Sequence, residues 1–184
     1  MQRCKWVDLK SEKYIKYHDE EWGRPVYDDR KLFEFLVLES FQAGLSWICI
    51  LNKREYFREA LDNFNPIKIS KYNEEKIISL LQNEKIIRNR WKIEAIITNA
   101  KIFLDIKKEW NSFSNYIWHF TNNRIIKNLD DNFKITSSLS DEVSTDLKKR
   151  GMKYVGSVII YSYLQAIGII NDHELTCFKH KDNF

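Results

Sequence analysis

Breaks are scarce in this chain: 184 residues contain two prolines and five glycines. Three of those glycines, Gly151, Gly156 and Gly168, crowd toward the end, so the middle of the chain can run as long helices with few enforced interruptions. The pattern predicts an all-α chain. Asp28 or Asp29 caps a helix whose apolar stripe begins at Leu32-Phe33-Phe35-Leu36. A second helix runs from about Ser46 to Phe64 and stops where Asn65-Pro66 pushes the backbone out of the α region. Asn73 caps a third, with Glu74 and Glu75 in its positive first turn and Ile77, Ile78, Leu80 and Leu81 on its buried side. After the short joint Glu84–Asn89 another helix covers about Arg90 to Lys107, so this stretch reads as helix-hairpin-helix. Ser138 with Asp141 resembles a capping box for a helix ending at Lys148-Lys149-Arg150, and Val155 to Ile167 forms a last buried helix. Between Phe113 and Thr136 the Asn-rich spacing sets no clear boundaries.

The length suits one unit, 1–184, with a helical core at about 28–168 and terminal segments at about 1–25 and 169–184. An apolar fraction of 43% supports a packed core, and the formal charge of +4 permits a polyanion partner without demanding one. Three cysteines without an apolar leader ahead of them point to reduced thiols in the cytoplasm. No apolar run approaches the roughly 20 residues that span a bilayer, so no membrane role is expected.

Three groups of residues carry chemistry. Cys4 and His18 near one end, with His173 and Cys177 in an H-x3-C pair near the other, have the donor set of a closed tetrahedral zinc site. Spacing alone leaves a second reading open, a stray terminal thiol and a surface imidazole, because no C-x2-C knuckle is present. Glu39 ends the hydrophobic run of the first long helix, among Tyr14, Tyr17, Trp22, Phe33, Phe35, Phe41 and Trp47. It is either a solvated helix-end carboxylate beside core rings or the acid of a pocket for a planar base. In Gln42-Ala43-Gly44-Leu45, which follows, Gly44 offers a tight turn right after the acid. Arg88, Arg90 and Lys92 after the joint, and Lys148, Lys149 and Arg150 later, are a solvated cationic face or a set of phosphate contacts.

Taken together, Arg3-Cys4-x-Trp6, Tyr17-His18-Asp19-x-Glu21-Trp22-Gly23, Gln42-Ala43-Gly44-Leu45-Ser46-Trp47, Ile86-Ile87-Arg88-x-Arg90, Lys148-Lys149-Arg150-Gly151 and Asn171-Asp172-His173 resemble the 3-methyladenine DNA glycosylase I family over essentially the whole chain. The resemblance implies a helix-hairpin-helix glycosylase domain with a zinc-bearing appendage formed by the two termini. It implies one structural Zn2+ on Cys4, His18, His173 and Cys177, and a base pocket made by Tyr14, Tyr17, Trp22, Glu39 and Trp47. Glu39 is then the candidate catalytic residue, with recognition as its first role. Gln42, Gly44, Leu45, Arg88, Arg90 and Lys149 become the DNA contacts. The expected partner is double-stranded DNA carrying alkylated bases, and the expected state a monomer. Lys85 and Trp91 stand where relatives usually carry glycine.

Overall fold

The computed structural model describes residues 1–127, 129, 130, 132 and 134–181. Among the described residues the secondary structure is helical apart from one two-residue parallel ladder. The helices are α1 (Glu12–Glu20), α2 (Asp29–Gln42), α3 (Trp47–Ala60), α4 (Pro66–Ile69), α5 (Glu74–Gln82), α6 (Arg90–Trp110), α7 (Phe113–His119), α8 (Ser138–Lys149) and α9 (Ser157–Ala166).

The centre of the fold is α2, for a reason visible in its composition. Every residue from Leu32 to Phe41 is buried, and a helix that is apolar nearly all round has to be covered on all sides. Its neighbours α3, α6, α7 and α9 supply that cover. Glu39 lies in this run one turn before the C-terminus of α2, so the fold buries a carboxylate that an amphipathic surface helix would leave in water.

Caps place most of the other elements. Asp28 accepts from the Lys31 amide at 2.8 Å, Asn73 from Lys76 at 3.1 Å and Asn89 from Lys92 at 3.1 Å. Four local features differ from the sequence reading. The helix expected to reach Phe64 stops at Ala60, and Asp62, Asn63 and Phe64 take φ near +50° while Asp62 accepts from Tyr72 Oη and Lys68 Nζ. Pro66 starts α4 at its first turn, where its missing N–H costs nothing. Ile78 is 44% exposed on α5, because the packing face there is narrowed to Ile77 and Leu80. The capping box of α8 is Ser137 with Ser140, one residue earlier than Ser138 with Asp141.

The ends of the chain meet. Ile126–Lys127 (β1) pairs in parallel with Ile170–Asn171 (β2), and the Phe178 amide donates to Gln2 O at 2.9 Å. Gly168, at φ +75°, turns the chain out of α9 against the backbone of Arg24 and Pro25; a Cβ there would stand 2.2 Å from Arg24 C. Only glycine permits that approach.

Candidate functional site

A cavity of about 520 Å³ opens between α1, the end of α2, the start of α3 and α9. Tyr14 and Tyr17 reach it from α1, Trp22 from the turn that follows, Glu39 from α2 and Trp47 from the first position of α3. Tyr17 and Trp47 sit 5.3 Å apart, Trp6 and Trp22 4.9 Å, and Trp6 and Tyr14 5.3 Å, all tilted or edge-on. Gln42 lies on the same wall. The five residues read from the sequence as a pocket are therefore brought together. Trp6, Tyr161 and Asp172 were not among them, although the fold places all three on the lining. Trp6 carried a usable signal, an aromatic two residues beyond a candidate ligand cysteine. Tyr161 carried none, because on α9 it reads as one more buried ring.

Glu39 is 3% exposed and has no hydrogen-bond partner among the described residues. Burial pushes its carboxyl up to about 8. Among the described residues Trp47 Nε1 is buried without a partner. The Glu39 carboxyl lines the cavity without a protein partner and the Trp47 donor is buried without one, so a ligand in the cavity has an acceptor and a donor free to meet it. Tyr17 is also pushed well above its ordinary value, first by burial and then by the Glu39 charge, so it stays a neutral hydroxyl.

The Glu39 carboxyl has a consequence for stability. Between its ordinary value of 4.5 and about 8 the folded chain holds a proton that the unfolded chain has released. Stability is therefore full below that window and falls as pH rises through it, by about 3–5 kcal/mol in all. Melting of the wild type should drop between about pH 5 and about pH 9 relative to Glu39→Gln, which removes the linkage. Parallel melting curves for the two proteins would contradict the buried acid.

The second cluster joins the termini. Cys4, His18, His173 and Cys177 are all buried, with their ligand atoms within 4.8 Å of one another. Three sulfur-to-nitrogen separations are 3.4, 3.5 and 3.6 Å. A tetrahedral zinc with ordinary Zn–S and Zn–N bonds spaces its S and N ligands about 3.5 Å apart, so the group has the dimensions of a metal site. The outer contacts also fit. His18 directs Nδ1 to Asp19 at 2.7 Å while Arg3 grips Asp19 at 2.7–3.0 Å, and His173 Nε2 lies 3.3 Å from Trp22 O. These partners orient each ring with its other nitrogen toward the cluster. Burial holds His18 below its ordinary value, in the neutral form that ligates. Cys177 is delivered by a turn, its amide on Glu174 O at 2.8 Å, and not by a helix. Trp22 contacts His173 edge-on at 4.6 Å, so cluster and cavity share a wall.

The remaining residues occupy the turn and the joint. Gly44 takes φ +82°, Leu45 is 39% exposed, and the turn is closed twice, by Leu45 N on Gln42 O and by Gln42 Nε2 on Leu45 O, both at 2.7 Å. Arg88 is half exposed with a long 3.7 Å contact to Glu84. Arg90 is engaged by Glu74 at 2.7 Å and Glu94 at 3.1 Å, while Lys149 stands exposed in the last turn of α8. Lys92 departs from the sequence reading of a basic face, because its side chain is buried. Neither Lys85 nor Trp91 has a positive φ, so the joint is built without the glycine conformation at those points.

Known proteins match this chain along its length. The family model described as methyladenine glycosylase matches residues 6–180. DNA-3-methyladenine glycosylase 1 of Escherichia coli K12 is 42% identical over 186 residues, covering 100% of this chain and 99% of its own. DNA-3-methyladenine glycosylase of Haemophilus influenzae Rd is 43% identical, covering 95% and 96%. A solved variant of 3-methyladenine DNA glycosylase I in complex with 3-methyladenine superposes with a TM-score of 0.94 at 33% identity, covering 100% of both chains. A helical fold with these matches defines a DNA repair glycosylase, a hydrolase of N-glycosyl bonds. Within that class the chain belongs to the 3-methyladenine DNA glycosylase I family.

Proposed function

We propose that the chain is a monofunctional glycosylase that hydrolyses the N-glycosidic bond of N3-methyladenine in alkylated double-stranded DNA, flipping the cationic base into the cavity beside Glu39. The observation that carries this reading is a buried carboxylate without a partner, surrounded by rings. Methylation at N3 places a positive charge on adenine and weakens its bond to the sugar. The leaving base then needs no protonation, so selectivity can rest on recognition. Each ring over a cation contributes roughly 0.5–2 kcal/mol, which a neutral adenine does not gain. Glu39, as the carboxylate, accepts from the amino edge of the base with charge assistance.

Glu39 acts first in recognition. The positive charge moves from base to sugar as the bond breaks, and a group that holds only the charged base stabilises the ground state as well. The C1′–N9 pair of electrons leaves with the base, which becomes neutral, while water adds to C1′ and its proton goes to solvent. No lysine is assigned as a nucleophile, so strand cleavage is not part of the reaction. Leu45 fills the gap left in the duplex, with α5, the joint and α6 as the helix-hairpin-helix and Arg88, Arg90, Gln42 and Lys149 at the DNA. Because Arg90 already carries two carboxylate partners, Arg88 is the stronger phosphate contact of the pair.

One zinc on Cys4, His18, His173 and Cys177 is structural, since four protein ligands leave no open position for chemistry. The chain works as a single monomeric unit with its termini clamped on the helical core, in the cytoplasm. Incubation with methylated duplex followed by chromatography of released bases tests the reading. Release of N3-methyladenine supports it. Binding to the duplex without any released base would make the protein a DNA-binding module instead.

A further inference from the structure

The side chain that most contradicts its sequence context is Lys92. It is 7% exposed, lies in the first turn of α6, and no carboxylate among the described residues pairs with it. Its Nζ donates to Phe41 O at 2.9 Å and Ala43 O at 2.8 Å, and lies 5.8 Å from the centre of the Tyr154 ring. A buried ammonium held only by carbonyls and a ring is expensive, and burial lowers its proton affinity. Helix ends usually satisfy their last carbonyls with a glycine cap or water, so a buried lysine is not needed merely to end α2.

Lys92 joins two parts of the molecule that the proposed reaction uses together. Phe41 and Ala43 flank Gln42 at the end of α2, one turn after Glu39 and directly before Gly44-Leu45. The Lys92 amide is itself held by the Asn89 cap, next to Arg88 in the joint. Two turns further along α6, Asn99 makes a paired amide contact with the backbone of Lys153, at 2.9 and 2.8 Å, beside Tyr154 at φ +54°. One helix therefore fixes both the turn at 42–45 and the turn at 153–154 through buried polar side chains.

We propose that Lys92 is a positioning residue, which sets the turn 42–45 from α6 so that seating the joint on DNA presents Leu45 in a fixed geometry. This rests on the excision reading for its functional half, while its mechanical half concerns the turn alone. The turn is short and closed on itself, so without Lys92 the side-chain and turn hydrogen bonds left to it among the described residues are its own two.

Lys92→Met keeps length and apolar stem but donates nothing. Its single-turnover excision from methylated duplex should fall about 30-fold, since small misplacements of a reacting assembly cost that order in rate. Binding of free 3-methyladenine, measured by tryptophan fluorescence, should stay within about threefold of wild type, because the rings are untouched. Exchange of the Leu45 amide, which is held by Gln42 O, should accelerate about tenfold or more, as local opening becomes easier. Lys92→Arg, which keeps charge and donors, should recover excision to within about threefold. It also serves as the test if the Met variant does not fold: a well-folded Arg protein whose excision and exchange both match those of a Lys92→Ala protein would overturn the proposal. So would a Met variant with wild-type excision or unchanged exchange, or one whose free-base binding fell in parallel with excision. If the wild type released no base, the excision reading would fail by itself, and the exchange arm would still decide whether Lys92 holds the turn.

Discussion

Glu39→Gln should reduce release of N3-methyladenine from methylated duplex by about 100-fold, measured under single turnover, through loss of a charged hydrogen bond worth roughly 1.5–3 kcal/mol. The substitution keeps the shape of the side chain, so the cavity and its rings remain. It removes the negative charge that a cationic base would meet where water is excluded. A second readout separates recognition from general damage: the variant should melt at least as high as wild type above about pH 8, because it no longer carries a buried carboxylate. The wild type has its own signature. Its Glu39 sits at about 8 before the base arrives, so taking up a cationic nucleotide at neutral pH expels a proton. Affinity for the methylated site should then rise with pH and level off above about 8. A variant with full release, or a pH-independent wild-type affinity, would remove Glu39 from the pocket's chemistry.

The second large effect concerns the metal. Cys177→Ser should lose the one equivalent of zinc expected for the wild type and melt about 10–20 °C lower, from roughly 5 kcal/mol of lost anchorage at about 2–4 °C per kcal/mol. The loss is smaller than the whole binding energy of a structural zinc, because the packed core around α2 survives without it. It should reach the cavity nonetheless. His173 holds Trp22 both through its ring and at the Trp22 carbonyl, so freeing the terminus loosens one wall of the cavity. Weaker free-base binding in the serine variant follows, alongside its lower melting. A variant that kept its metal and its melting temperature would refute the clamp.

The parts of the fold that were legible in the sequence depend on neighbours a few residues apart. Asp28, Asn73 and Asn89 cap the helices their positions suggest, because an N-cap needs only a side chain and an amide three residues on. The failures have local causes too. The sequence around Pro66 points to a helix stop, and in the fold it is a start, since the same missing N–H serves both roles. Ile78 has the right spacing for a buried face, and α5 has no neighbour there to bury it. In the candidate site, Tyr14, Tyr17, Trp22 and Trp47 could be gathered from one stretch near the start of the chain, whereas Tyr161 and Asp172 lie far along it near the other end and carry no local mark.

Lys92 and Glu39 divide the matter most clearly. By itself the sequence determined a mainly helical chain, a central apolar helix with one acid near its end, and four Cys and His residues split between the termini. It could not determine whether Glu39 faces water or whether Lys92 reaches a phosphate. Helical period and capping are written in a few adjacent residues, but burial and pairing are set by what other elements place alongside. Only the tertiary structure closed α1, α3 and α9 over Glu39 and turned Lys92 inward onto the carbonyls of α2.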